Sequence, residues 1–321
     1  IETIKHIFQF IPKEIKKDMK VLSLFDGISG GQMALKGIGA KVSTYLASEI
    51  DKHAIANTMH NFPNTIQLGS VTELNVDEMV QQYGIPNILI GGSPCQGFSM
   101  SGKLKGAATS HGEEIYTLDR YQELKAQGFE FEGQSYLFWE YMRVLTELRK
   151  YNPNILFFLE NVEMLDKWER CLSHAIGVRG VHINSALVSA QQRKRIYWTN
   201  IRVKDTGKTN LFDFDDDPFE PPTKKSDIPQ PKDRGIVIDD ILQDEVGEKY
   251  YLKDDIVGKL LDRTEKAKLK DYIGKTQMTL DELSEEIHRL EPQLSKEEID
   301  EIAKKGLKQE VERLKGIYDG T

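Results

Sequence analysis

The sequence predicts an α/β domain built on a mostly parallel, doubly wound sheet, joined to a smaller, partly helical C-terminal region. Three observations carry this expectation. Continuous apolar β-forming runs, such as Ile88 to Ile90 and Ile155 to Leu159, alternate with helix-period segments, as in βα units whose sheet is covered on both faces. A glycine-rich turn, DGISGG at 26–31, separates the first such run from the helix after it. Glu49 and Glu160 fall at the ends of two other runs, where ligands of open α/β sheets gather.

The totals narrow the classes. At 321 residues the chain holds one large domain, or one domain and a smaller one. No apolar run approaches the ~20 residues of a membrane span and no signal peptide is evident, so a cytoplasmic protein with no membrane partner is expected. The two cysteines, Cys95 and Cys171, supply neither a disulfide framework nor a Cys-rich zinc site, and no metal is expected. A net charge of −8 argues against a surface coated in nucleic acid. Local basic clusters remain at Lys103/Lys105, Arg193/Lys194/Arg195, Lys224/Lys225 and 263–270.

Residues 1–18 place Ile4, Ile7, Phe8 and Ile11 at helical spacing, and Pro12 ends the pattern. From Met19 the order is strand (KVLSLF), glycine turn and helix (QMALKGIG). YLASEID at 45–51 is a second strand. Its Glu49 lies a little over twenty residues beyond the glycine turn, where nucleotide-binding folds place a carboxylate for ribose hydroxyls. That spacing alone leaves an unrelated surface Glu equally open. A helix from Asp51 to His60, a third strand at 65–71 and a helix at 76–84 follow.

The fourth strand, Ile88 to Ile90, drives into Gly91, Gly92, Ser93, Pro94 and Cys95, a tight turn that sets a thiol just past a strand tip. On the turn alone, Cys95 reads equally as a buried structural cysteine. Residues 103–133 lack a persistent apolar period and are expected to form a lid over Cys95. A helix at 135–151 precedes the strand NILFFLENV (154–162), which ends in Glu160 and Asn161. Another strand begins at 181. QQRKRIYWTNIRV (191–203) then sets Arg193 and Arg195 on one face of an extended segment. A solvated basic strand is the alternative there, weakened by the flanking Ile196, Tyr197 and Trp198. Residues 204–235 read as a linker or surface loop, and 236–261 as partly helical. Capping boxes start helices at Thr279 (with Glu282) and Ser295 (with Glu298), with stops at Gly306 and Gly316.

The ordered set FDGISGG (25–31), ASEI (47–50), GSPCQGFSMSGK (92–103), LFWEY (137–141), LENV (159–162) and QQRKRIYW (191–198) resembles the cytosine-C5 DNA methyltransferase family over about residues 20–203. The resemblance implies a Rossmann-like methyltransferase domain that takes S-adenosylmethionine and methylates a flipped-out cytosine in double-stranded DNA. Domain expectations follow: a catalytic domain at 1–203, with 1–18 a packing helix, then a linker and variable target-recognition or helical region at 204–321. Cytosine C5 is a weak nucleophile, and addition of the Cys95 thiolate at C6 would move electron density onto it. A nearby guanidinium, Arg193 or Arg195, would favour the thiolate. Glu160, protonated or sharing a proton, would hold N3, Arg195 would contact the base and Arg193 would support it.

Cofactor contacts are implied for Phe25, Asp26, Gly27, Ile28, Ser29, Gly30, Glu49, Ile50, Ser70, Val71, Pro94 and Leu137. Substrate contacts are implied for Gln96, Ser99, Lys103 and Asn161, with Asn161 and Pro94 also fixing the two strand ends. Three departures accompany the resemblance. Ser29 stands where the family often has Gly, Ser70 stands where it usually has Asp, and the family's late segments have no match after residue 203.

Residues 1–11 resemble the family's closing helix, which would make the chain permuted, truncated or split and would pack these residues against the helix after the glycine turn. A second polypeptide or missing segment would then supply the late motifs. The alternative functions are a partner-dependent or non-catalytic subunit of a split methyltransferase, and a tRNA cytosine methyltransferase. A bacterial or phage origin is expected. A simple dehydrogenase is disfavoured, because the first turn lacks G-x-G-x-x-G spacing.

Overall fold

The computed structural model describes residues 1–94, 108–109, 113–207, 219, 222–243, 247, 252–253, 256–257, 259 and 295. Contacts divide the chain into two units, Ile1–Leu242 and Gln243–Thr321. Almost all described residues belong to the first. There, α1 (Glu2–Phe8) and the single turn α2 (Lys13–Lys16) precede β1 (Met19–Leu24). Next come α3 (Gly30–Gly37), β2 (Val42–Ser48), α4 (Lys52–Asn61), β3 (Ile66–Gln67), α5 (Val76–Tyr83) and β4 (Ile88–Gly91). The short strands β5 (Ala108–Thr109) and β6 (Phe131–Glu132) flank α6 (Leu118–Ala126) and pair antiparallel. They are followed by α7 (Leu137–Tyr151), β7 (Leu156–Val162), α8 (Asp166–Ile176), β8 (Val181–Asn184) and β9 (Lys194–Thr199). A last pair, β10 (Val203–Asp205) and β11 (Lys224–Ser226), is antiparallel.

The main sheet has seven strands in the order β3-β2-β1-β4-β7-β9-β8. Strands β3, β2, β1, β4 and β7 are parallel, and β9 runs antiparallel to both β7 and β8. The expected mostly parallel, doubly wound α/β sheet is what the chain forms. Register decides what this does for function. Leu24 pairs with Ser48 and with Gly91, and Gly91 pairs with Leu159, so four strand tips end at one level. The next residues, Phe25, Glu49, Gly92 and Glu160, therefore share one rim of the sheet.

Each face of the sheet carries a core. On one face α5, α6, α7 and α8 bury Leu124, Phe138, Trp139, Tyr141, Leu145 and Trp168. On the other, α1 and α3 bury Ile7, Phe8 and Leu35 against Tyr45, Phe158 and Ile183, with Phe8 edge-on to Phe158 at 5.1 Å. Residues 1–11 do pack against α3. They come so close that a Cβ on Gly37 would lie 2.4 Å from Lys5 Cε.

Three details differ from what periodicity suggests. The stretch 103–133 lacks a persistent apolar period, yet its later part holds α6, started by Thr117 accepting from Arg120 N and anchored by buried Tyr121 and Leu124. The stretch between 162 and 181 had no element assigned, and it holds α8. Its Trp168, Cys171, Leu172 and Ile176 make a buried stripe within a charged segment. The third strand is shorter than expected, because the chain turns at Gly69 with φ +75°. The helices expected from Thr279 and Ser295 lie outside the described residues. Among the described residues no helix is long and apolar enough to cross a membrane.

Candidate active site

The rim is built from β1, β2, β4 and β7. Past β1 the backbone enters the left-handed region at Phe25 (φ +56°), Gly27 (φ +56°) and Ser29 (φ +60°), strained for the two with a side chain. Ser29 is compensated, because its hydroxyl donates to the buried Asp26 carboxylate and fixes the turn. Tyr45 Oη donates to the other Asp26 oxygen at 2.8 Å. Burial pushes the Asp26 carboxyl above its ordinary value, and burial with Asp26 alongside holds Tyr45 protonated. Asp26 thus faces inward and organises the turn.

Glu49 closes the turn from the next strand. Its Oε2 accepts from Gly27 N at 2.8 Å, and its Oε1 accepts from Ile50 N at 2.8 Å and Asp51 N at 2.9 Å. A carboxylate offers about four acceptor sites, so one remains for a hydroxyl. Ile50 and Ile28 stand beside it 68 % and 57 % exposed, apolar side chains that nothing in the fold buries. Ser48 Oγ donates to Gly69 O at 2.8 Å, bringing the Gly69–Ser70–Val71 corner next to Glu49. Ser70 turns its hydroxyl onto Thr72, 2.8 Å from Thr72 Oγ1. An acceptor for a sugar hydroxyl flanked by open apolar side chains fits an adenosyl group.

Both glycines ending β4 have a steric reason. A Cβ on Gly91 would meet the Tyr141 ring at 2.7 Å, where Tyr141 Oη donates to Phe158 O at 3.1 Å. A Cβ on Gly92 would lie 3.2 Å from Glu160 Oε2. Asn161, 2 % exposed, donates through Nδ2 to Ser93 Oγ at 3.0 Å and so ties the tip of β7 to the tip of β4. Pro94 follows, half-buried, while Cys95, Gln96, Ser99 and Lys103 lie outside the described residues. Asn161 is committed to its bond with Ser93 and, through Oδ1, to Val162 N at 2.8 Å.

Glu160 is the centre of charge at this end. Its Oε1 lies 3.0 Å from Arg195 Nε and 3.3 Å from Arg193 Nη2, so the two guanidiniums converge on one oxygen and Oε2 stays towards Gly92. Antiparallel β9 makes this possible, since Glu160 pairs with Tyr197 and Arg195 falls opposite Val162. Tyr197 Oη is pushed up to about 12, chiefly by burial and then by Glu160. The second cysteine, Cys171, is fully buried in α8, and burial pushes its thiol up to about 12. Such a thiol is inert at neutral pH. Among the described residues no cluster of metal-ligating side chains occurs.

Sequence reasoning passed over one buried group: Glu140, which holds Lys125, Arg143 and Tyr121. The signal was Glu140 and Arg143 three residues apart on an otherwise apolar helix.

A mostly parallel sheet with a glycine turn, an acid closing that turn and a second acid on the same rim is the arrangement of a Rossmann-like, nucleotide-binding α/β fold. Residues 19–177 match the family of C-5 cytosine-specific DNA methylases, and this stretch of the chain is a domain of that family. S-adenosylmethionine is the cofactor of the family. The chain is 27 % identical over 285 residues to the orphan methyltransferase M.Rho11sI of Bacillus phage rho11s, covering 79 % of this chain and 50 % of that one. It is 26 % identical over 250 residues to the type II methyltransferase M.DsaV of Dactylococcopsis salina, covering 74 % and 57 %. It therefore spans little more than half the length of these relatives. A crystal structure of Spodoptera frugiperda DNMT2 aligns with 19 % identity and a TM-score of 0.44, covering 74 % of this chain and 62 % of that one.

Proposed function

We propose that this chain transfers a methyl group to C5 of cytosine in double-stranded DNA, with Cys95 as nucleophile and Glu160 as the group that holds the base. One observation carries the reading: Glu160, flanked by Arg193 and Arg195, is joined through Asn161 to the strand that leads into Pro94 and Cys95. When bound, S-adenosylmethionine supplies a methyl group on a positively charged sulfur.

The chain's own residues do the rest. The Cys95 thiolate forms a bond to C6, breaking the C5–C6 double bond and moving its electron pair to C5. Glu160 shares a proton with N3 and takes up the charge that builds in the ring, while the guanidiniums keep its carboxylate in place. After methylation, water takes the C5 proton, the C5–H electron pair restores the C5–C6 double bond, and the C6–S bond breaks to release Cys95 as the thiolate. Because duplex stacking hides C6, the base has to be turned out, at a cost of a few kcal/mol. Glu49 and the turn at 25–30 bind the adenosyl group, with Ile28 and Ile50 giving it apolar cover.

The test is sequencing of 5-methylcytosine in DNA from cells expressing the chain, beside its Cys95→Ala variant. Methylation at a defined site, lost in Cys95→Ala, is expected. Methylation that survives in Cys95→Ala refutes the assignment.

A further inference from the structure

Glu140 has no exposed surface, and its carboxylate is held by three side chains. Oε1 accepts from Tyr121 Oη and from Lys125 Nζ, each at 2.5 Å, and Oε2 accepts from Arg143 Nε at 2.7 Å. A buried carboxylate persists only with such partners. Where the two cations spend their remaining donors is the informative part. Arg143 Nη2 donates to Val71 O at 2.9 Å and Nη1 to Leu74 O at 3.2 Å, while Lys125 Nζ donates to Thr72 O at 3.2 Å. Three carbonyls of the short turn after Ser70 are thereby held from α6 and α7.

That turn is a single capped turn with short-range bonds of its own, among them Ser70 Oγ to Thr72 and Glu73 N to Ser70 O. The strand before it is two residues long, and the chain reverses at Gly69. Yet Gly69 is bonded to Ser48, the residue preceding Glu49. The corner is thus part of the rim that receives the cofactor, and its placement is imposed by charges on two helices behind it.

We propose that Glu140, Lys125 and Arg143 act as positioning residues that set the Gly69–Ser70–Val71 corner for the cofactor, so that cofactor affinity depends on a cluster that does not touch it. This rests on the cofactor reading above. The test is equilibrium binding of S-adenosylhomocysteine to the full chain by calorimetry, with the unliganded Tm measured in parallel, for Lys125→Met, Lys125→Arg and Arg143→Lys. Lys125→Met should raise Kd roughly tenfold, within the usual range of coupling between sites, in a chain that still folds, at a lower Tm. Lys125→Arg should bind like the unmutated chain. If Lys125→Met fails to fold, Arg143→Lys is read by the same criterion. Variants that bind as tightly as the unmutated chain, or that lose Tm without losing affinity, overturn the inference alone. An unmutated chain that does not bind S-adenosylhomocysteine overturns it together with the cofactor reading.

Discussion

Asn161 donates to Ser93 Oγ across 3.0 Å, and both residues are buried, at 2 % and 4 % exposure. The bond fixes the spacing between the strand that carries Glu160 and the strand that leads to Cys95. Asn161→Ala leaves Ser93 without this donor, at a stability cost of about 1–3 kcal/mol. Misplacement of the reacting groups should lower kcat on the order of 10²-fold while S-adenosylhomocysteine still binds. Urea unfolding and steady-state kinetics check the pair of outcomes. Unchanged kcat would show that the strand tips keep their spacing without this bond.

Glu160→Gln keeps the shape and removes the charge between Arg193 and Arg195. Methyl transfer should fall by roughly 10²–10³-fold, the usual loss for a group that stabilises transition-state charge. Cofactor binding should be retained. Gly92→Ala adds a methyl 3.2 Å from Glu160 Oε2, so a smaller loss of kcat with an intact fold is expected there. Radiolabelled methyl transfer to DNA, scored beside cofactor titration, distinguishes these effects from misfolding.

The two cysteines should behave oppositely towards an alkylating reagent at neutral pH. Cys171 is sealed in α8 with its thiol pushed up to about 12. Mass spectrometry after brief iodoacetamide treatment should find label on Cys95 and none on Cys171, with activity falling as Cys95 is modified. Labelling of native protein at Cys171 would contradict the packing of α8.

His182 Nε2 lies 2.9 Å from Glu169 Oε1, and its Nδ1 lies 3.7 Å from Glu163 Oε1. The bond to Glu169, with Glu163 adding to it, holds the folded-state pKa above the ordinary 6.5. The protonated ring therefore contributes its full stability below about pH 6.5. That contribution disappears as pH rises through the folded value. The Tm difference between the unmutated chain and His182→Gln should be largest in mildly acidic buffer and shrink towards alkaline pH. A difference independent of pH would show that the ring contributes through packing alone.

Much of the fold was legible because parallel strands buried on both faces announce themselves as unbroken apolar runs. Ile88–Ile90 and Leu156–Leu159 needed no tertiary information, and Glu160 and Gly92 could be placed at strand ends by counting. Residues α6 and α8 contribute were harder to see. LDRYQELKA and DKWERCLSHAI bury thin stripes among many charges, and a solvated helix with the same composition looks alike. Glu140 escaped for a related reason. A Glu and an Arg one turn apart normally sit in water, and only the packing of α6 over α7 removes them from it. Ser29 reads from sequence only as a departure that a permissive turn tolerates. The bond to Asp26 that makes it acceptable depends on a backbone shape no spacing rule conveys.

One strand in the sheet runs against the rest, and this has a price in routing. Arg193 stands just before β9 and Arg195 is its second residue, so the polypeptide leaves them downhill and exits at the opposite margin, near Thr199. Any later part of the chain that returns to the level of Glu160 has to climb back the height of a strand, ~20 Å at about 3.3 Å per residue. The segment from Ser226 to Arg234 makes that ascent along the outer border of β8. Ser226 N bonds to Arg179 O, Gln230 Nε2 to His182 O and Arg234 N to Leu187 O. The climb screens an otherwise open sheet margin and brings Arg234 to Leu187, just past the upper end of β8.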